Sequence, residues 1–322
     1  MPHSTALPGG IAIAGPTASG KSDLAMRIAA LLPVEIISVD SAQVYRGMDV
    51  GTAKPTREER ARVPHHLIDI RDPEQSYSAG EFRADALRII GETKSRGALP
   101  LLVGGTMLYF RALFHGIADL PVASPELRAS IDERASKEGW PALHAKLAQR
   151  DPGAAARVHA NDAQRIQRAL EVLALSGRTL DEHWQAQRPL SVFGDWNFCS
   201  LEPDNRELLH ERIAQRLGVM MAGGFADEVS HLLARGTLDE RSPALRLVGY
   251  RQLLSYVRTG ESLSEASAKA LYATRQLAKR QLTWLRSGKV FPADARPLKV
   301  DPYDSPTMER LPRALIKALA TP

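Results

Sequence analysis

Residues 11–22 read Ile11-Ala12-Ile13-Ala14-Gly15-Pro16-Thr17-Ala18-Ser19-Gly20-Lys21-Ser22, and the fold follows outward from this stretch. Ile11 to Ala14 is a short buried-strand run that ends at a glycine. The next eight residues fit Gly-x-x-x-x-Gly-Lys-Ser without a gap. Residues 22–32 continue as a helix, with Leu24, Ala25, Ile28, Leu31 and Leu32 on one face. Strand, glycine loop and helix together are the context in which this pattern binds phosphate. Glycines let backbone N–H groups turn inward, and the helix N-terminus adds partial positive charge. Gly15, Pro16, Thr17, Ala18, Ser19, Gly20, Lys21 and Ser22 are therefore expected to cradle a di- or triphosphate. Lys21 would neutralise its terminal phosphates and Ser22 would help hold magnesium.

Further strand patterns follow. Val34–Val39 ends at Asp40, Leu67-Ile68-Asp69-Ile70 is a third candidate, and Leu101-Leu102-Val103 runs into Gly104-Gly105-Thr106. Strands alternating with helices predict an α/β fold, a parallel sheet of the phosphate-loop type flanked by helices. Ligands of such sheets collect at the carboxyl ends of the strands, which is where the loop, Asp40 and Thr106 fall. Residues 1–117 read as the first part of this core. Residues 118–200 read as a helical insertion without a convincing strand before Trp196, entered at Pro121 and Pro125 and left at Pro189 and Gly194. Residues 201–290 complete the core and end in basic helices. The proline-rich tail, 291–322, is expected to pack loosely up to a short terminal helix.

Composition narrows the function classes. Of 322 residues, 44% are hydrophobic and 25% charged, the balance of a globular protein. No apolar run is long enough to span a membrane. Met1-Pro2-His3-Ser4-Thr5 lacks the basic start of a signal peptide. Cys199 is the only cysteine, which excludes an internal disulfide and a cysteine-based zinc site. A cytoplasmic location is expected. The net charge of +5 tilts the reading toward a nucleic-acid partner, and the placement of the charge matters more.

Asp40, at a strand end, suits three roles: a magnesium carboxylate, a general base, or a cap for the next turn. Thr106 can cap the following helix or offer its hydroxyl to a ligand. His65-His66 lacks partners at metal-ligand spacing and points to a hydrogen-bonding role. Two segments are basic. Arg165 and Arg168 share a helix face, with Arg157 and Arg178 nearby. Leu271 to Lys289 carries Arg275, Lys279, Arg280, Arg286 and Lys289 with Trp284 interleaved and no acidic residue, a pattern suited to single-stranded nucleic acid. Arg212 and Arg216, one turn apart, are alternatives for the phosphate site.

Several segments together resemble one family. The loop from Gly15 to Ser22, Asp40-Ser41-Ala42-Gln43-Val44-Tyr45, Gly51-Thr52-Ala53-Lys54-Pro55, Leu102-Val103-Gly104-Gly105-Thr106, Val248-Gly249-Tyr250-Arg251-Gln252 and Thr274-Arg275-Gln276-Leu277-Ala278-Lys279-Arg280-Gln281 look like those of the tRNA dimethylallyltransferases. The likeness runs in one order over residues 10–290. It implies transfer of a dimethylallyl group from dimethylallyl diphosphate to N6 of the adenine just 3′ of the anticodon, with the base flipped out of its stack. By the same resemblance, Asp40 is the general base, Thr106 assists it, and Arg216 joins the loop and Mg2+ at the diphosphate. tRNA contacts are implied at Asp40, Ser41, Ala42, Gln43, Thr106, Arg128, Gln164, Arg165, Ile166, Gln167, Arg168, Val248, Gly249, Tyr250, Arg251, Lys279, Arg280, Gln281 and Arg286. The absence of a cysteine finger after the core matches the bacterial form, expected as a monomer acting on the anticodon stem-loop.

Three rival readings remain at this point. A small-molecule kinase shares the loop and sheet. A prenyltransferase using free AMP shares the chemistry but has no need of the helical insertion or the basic segment. An RNA-binding protein with a phosphate-loop switch would bind tRNA without modifying it.

Overall fold

The fold was obtained as a computed structural model describing residues 9–118, 120–185, 193, 195–239 and 242–319. Met1 to Thr5 and the exit markers Pro189 and Gly194 lie outside the described residues. The chain divides into two compact units, one formed by Met1–His115 with Leu190–Pro322, the other by Gly116–Pro189.

The first unit is built on six parallel strands. They are β1 (Gly10–Ala14), β2 (Val34–Val39), β3 (His65–His66), β4 (Leu99–Gly104), β5 (Trp196–Leu201) and β6 (Leu298–Val300), ordered β3-β2-β4-β1-β5-β6. β1 has the period-2 side-chain alternation of a strand covered on both faces. Ile11 and Ile13 join Val34, Ile36, Leu99 and Leu101 beneath α1 (Lys21–Ala29) and α14 (Ser305–Leu319). Ala12 and Ala14 face the opposite layer with Ile37, Val39 and Leu102. There they meet α3 (Ala79–Ser95) and α4 (Met107–His115). The helices start where their capping residues stand. Thr56 caps the short α2 (Arg57–Arg62) with Glu59, and Ser78 caps α3 with Glu81.

After β5 come α10 (Arg206–Ala222), α11 (Phe225–Ala234), α12 (Tyr250–Thr259) and the 24-residue α13 (Leu263–Arg286). Asn205 caps α10, and Ser262 with Glu265 caps α13. Among the described residues no helix is long and apolar enough to cross a membrane.

The second unit is helical: α5 (Pro125–Glu138), α6 (Trp140–Arg150), α7 (Pro152–Arg157), α8 (Ala163–Ser176) and α9 (Leu180–Gln185). Its two small cores bring Leu147, Ala154 and Ala169 together in one, and Ile131, Leu143 and Ile166 in the other.

Four expectations are corrected. The third strand is His65–His66 rather than Leu67–Ile70. Leu67 and Asp69 have φ of 62° and 56°, which no strand permits. α1 stops at Ala29, so Leu31 is solvent-exposed rather than on the apolar face. The strand that begins at Trp196, where the sequence reading left room for one, belongs to the sheet beside β1, so the helical stretch ends short of the expected bound at residue 200. The tail is no loose appendage, because β6 extends the sheet and Met308, Leu311 and Leu315 of α14 are buried against α1.

Candidate functional site

The carboxyl ends of β1, β2 and β4 converge on one cavity of about 660 Å³. The loop after β1 turns on Ala18 (φ 62°) and Gly20 (φ 76°), where glycine relieves the strain at the position that opens α1. Gly104, at the end of β4, is equally constrained, since a Cβ there would lie 2.0 Å from the Val39 carbonyl oxygen.

The loop's backbone donors divide sharply. Gly15 N–H donates to Gly104 O (3.3 Å), Thr17 N–H donates to Gln281 Oε1 (3.0 Å), and Pro16 has no N–H. The N–H groups of Ala18, Ser19, Gly20, Lys21 and Ser22 have no partner among the described residues. Two cations accompany them. Lys21 Nζ donates to Pro16 O (2.5 Å) and Ser19 Oγ (3.4 Å), and the buried Nε of Arg216 has no hydrogen-bond partner among the described residues. Burial of its ammonium group, then the Arg216 charge, pull the Lys21 pKa down to about 7 against the opposing pull of Asp40. Burial likewise disfavours the Arg216 charge, with Asp40 opposing. A guanidinium does not give up its proton in a protein, so Arg216 keeps its charge at the cavity.

Asp40 and Thr106 form the facing wall. Asp40 Oδ1 accepts from Ala42 N–H (2.8 Å). Thr106 Oγ1 accepts from Ser41 N–H (3.0 Å) and donates to Ser41 Oγ (3.3 Å). Gln43 is fixed by Ser38 Oγ, which donates to its Oε1 at 2.9 Å. The structure thus brings Lys21, Ser22, Asp40, Thr106, Arg216 and Gln281 to one cavity, with Leu217, Met220, Leu277 and Trp284 among its apolar walls.

Neither Glu228 nor Tyr303 was singled out on sequence. Glu228 accepts the N–H groups of Asp49 (2.7 Å), Val50 (2.7 Å) and Gly51 (3.0 Å) and the Tyr250 hydroxyl (2.6 Å), which pins the cavity-lining segment that continues to Pro55. A conformation-dependent nest of N–H groups has no signature in sequence. Lys54 is buried between Asp49 (2.5 Å) and Asp69 (2.6 Å). Tyr303, from the tail, donates to Ala18 O at 3.4 Å and carries the Arg212 guanidinium 4.7 Å above its ring. Arg212 is therefore held by an aromatic face, and of these two arginines it is Arg216 that lines the cavity.

His65 Nδ1 pairs with Val63 O (2.8 Å) and His66 Nε2 with Glu35 Oε2 (2.7 Å), hydrogen-bonding roles as expected. Glu35 also receives Arg96, whose hydrogen bonds, against burial, bring its pKa down to about 2.

The residues expected to meet tRNA are distributed unevenly. Lys279, Arg280 and Arg286 are exposed on α13, with Arg286 also donating to Pro203 O (3.3 Å). Gln281 turns inward to the loop. Val248, Gly249 and Tyr250 line the cavity, while Arg251 is exposed. Tyr250 is 1% exposed with its hydroxyl taken by Glu228, so it presents no free polar group. In the helical unit, Arg128 clamps the fully buried Glu171 with two bonds (2.9 and 3.1 Å), and Arg168 adds a third (2.5 Å). Burial pushes the Glu171 pKa up, and these arginine hydrogen bonds outweigh it to give a net lowering. Gln167 donates to Asp132 (2.6 Å), Arg165 pairs with Asp162 (2.9 Å), and Gln164 is exposed. Ile166 is fully buried in a core, and its side chain is not available for RNA contact.

Comparison with known proteins places this geometry. Residues 43–288 match the family model described as IPP transferase. The tRNA dimethylallyltransferase of Bordetella petrii is 54% identical over 279 residues, covering 86% of this chain and 89% of the relative. That of Burkholderia multivorans is 56% identical, with 85% of each chain covered. The full-length tRNA isopentenylpyrophosphate transferase from Bacillus halodurans superimposes with a TM-score of 0.67 at 36% identity, covering 96% of both chains. A eukaryotic dimethylallyltransferase acting on tRNA superimposes with a TM-score of 0.78 at 26% identity, covering 95% of this chain and 77% of that one.

Proposed function

The chain belongs to the IPP transferase family and is a transferase that modifies tRNA, and on that premise we propose that it moves a dimethylallyl group from dimethylallyl diphosphate to N6 of the adenine 3′-adjacent to the anticodon. The observation that carries this reading is the set of five unpartnered loop N–H groups beside the under-neutralised cations Lys21 and Arg216. Such a site stabilises a departing diphosphate. The C1–O bond of the donor breaks, the diphosphate takes the electron pair, and the developing charge falls on preorganised donors. The exocyclic amine attacks C1 and loses a proton to Asp40, which lines the cavity with its Oδ1 anchored by the Ala42 N–H. Thr106, locked to Ser41, keeps that carboxylate loop in register. The apolar walls exclude water from an intermediate that would otherwise be hydrolysed.

Magnesium fits the donor set. The Ser22 hydroxyl on the cavity wall is a hard oxygen donor of the kind Mg2+ takes, and no cluster of three or more metal-ligating side chains exists among the described residues. Ser22 would hold the ion, which would add positive charge at the leaving group. Exposed Lys279 and Arg280 supply phosphate contacts for the anticodon stem-loop, and a tRNA substrate supports a cytoplasmic place of action.

The test is incubation of the purified protein with dimethylallyl diphosphate, magnesium and unmodified tRNA, followed by mass mapping of nucleosides. A five-carbon gain on the adenine beside the anticodon is expected, and Asp40→Ala lowers the rate by about 10²–10⁴. Modification of AMP but not tRNA, or turnover of a nucleoside triphosphate with no gain in tRNA mass, defeats the reading.

A further inference from the structure

Gln281 does something other than face RNA. Its Oε1 accepts the Thr17 N–H (3.0 Å) and its Nε2 donates to Gly105 O (2.9 Å), so both ends of the amide are bound to loops at the carboxyl edge of the sheet. A Cβ on Gly105 would lie 2.6 Å from Nε2, which shows how tightly the side chain is wedged against that backbone. Its effect on the phosphate loop is selective. The N–H groups from Ala18 to Ser22, at the α1 end, are left open, and that of Thr17, the next along the loop, is closed.

We propose that Gln281 sets the length of the polyphosphate chain the loop accepts, admitting a diphosphate and excluding a triphosphate. Five open N–H groups with Lys21 and Arg216 match the oxygens of two phosphates. A third phosphate would need the next donor along the loop, Thr17 N–H. To reach it, the anion must displace a side-chain carbonyl and break the bond to Gly105 O, leaving the carbonyl of the buried Gly105 and the half-buried Gln281 amide without their partners. The Gln281 oxygen also repels a phosphate oxygen approaching the same N–H. The phosphate loop, a motif shared with enzymes of nucleoside triphosphates, is in this chain shortened by one donor from a distant helix. This inference rests on the diphosphate-leaving-group reading above and deepens it.

Calorimetric titration of inorganic diphosphate and inorganic triphosphate, with magnesium in excess, tests it on the full chain and on Gln281→Ala and Gln281→Met. Methionine keeps the side-chain volume but neither accepts nor donates, and it answers the question if the alanine variant fails to fold. The wild type is expected to prefer diphosphate. Each variant is expected to narrow that preference about tenfold through a gain in triphosphate affinity. If both anions lose affinity in parallel and the preference is unchanged, Gln281 is only a brace for the loop and the inference is overturned, with the leaving-group reading intact. If the wild type does not bind diphosphate at all, both are overturned.

Discussion

Arginines occur in both compact units, and they differ in one respect that separates a ligand site from a framework. In the sheet unit, Arg216 ends in a cavity with a buried Nε that no group among the described residues accepts from, beside a lysine whose pKa burial and Arg216 pull down to about 7. In the helical unit, Arg128 and Arg168 share a fully buried carboxylate, with three hydrogen bonds into Glu171. The first arrangement leaves a buried guanidinium nitrogen without a partner among the described residues. The second is complete before any ligand arrives, and it ties α5 to α8. Charge alone made both regions candidates, and only the accounting of partners tells them apart.

The comparison breaks most readily at Glu171. Glu171→Ala leaves two guanidinium groups without their shared carboxylate and is expected to destabilise the helical unit by about 3–5 kcal/mol. Hydrogen exchange along α5 and α8 measures this. If protection is retained and tRNA affinity rises instead, the two arginines are a binding surface held in reserve and the distinction fails.

Arg216→Met gives the next largest effect. Removing a donor aimed at the leaving group is expected to cost about 10²–10³ in kcat, with little change in fold stability, because the wild-type Nε has no partner to lose. A large rise in Tm with unchanged kcat would show that Arg216 is a burden on the fold rather than a group for the anion.

The smallest effect sharpens the comparison through pH. A diphosphate binds the charged form of Lys21, so affinity is expected to be flat below about pH 7 and to fall by up to tenfold per pH unit above it, a slope missing in Lys21→Met. Stability of the unliganded protein carries the opposite sign. The unfolded chain keeps the lysine protonated between about pH 7 and its ordinary value near 10. The folded chain does not, so stability rises with pH across that window. Urea midpoints at several pH values check this against the Lys21→Met control.

Much of the site was legible because its chemistry is local. The loop from Gly15 to Ser22, Asp40 at the end of β2 and Thr106 after β4 each sit within a few residues of the strand that positions them, and short apolar runs, buried along their whole length, revealed the strands. His65–His66 was missed as a strand because two residues carry almost no periodic signal, and the apolar Leu67–Ile70 run beside it mimicked one. Glu228, Tyr303 and the inward turn of Gln281 were illegible for a different reason. Each acts on a loop 176 or more residues away in the chain. The two units also blur on sequence, because Trp196–Leu201 follows a helical stretch and joins the sheet only by pairing with β1.

The sequence by itself determined the parallel α/β core, the phosphate loop and the carboxylate at its rim, since strand alternation, glycine placement and the lysine–serine pair are properties of adjacent residues. Tertiary structure alone decided which cations stay unpaired, which arginines are neutralised by Glu171, and how many loop donors Gln281 leaves open. A charge or a donor becomes a binding site only when folding brings no partner to it, and partners arrive through contacts that neighbouring residues do not encode.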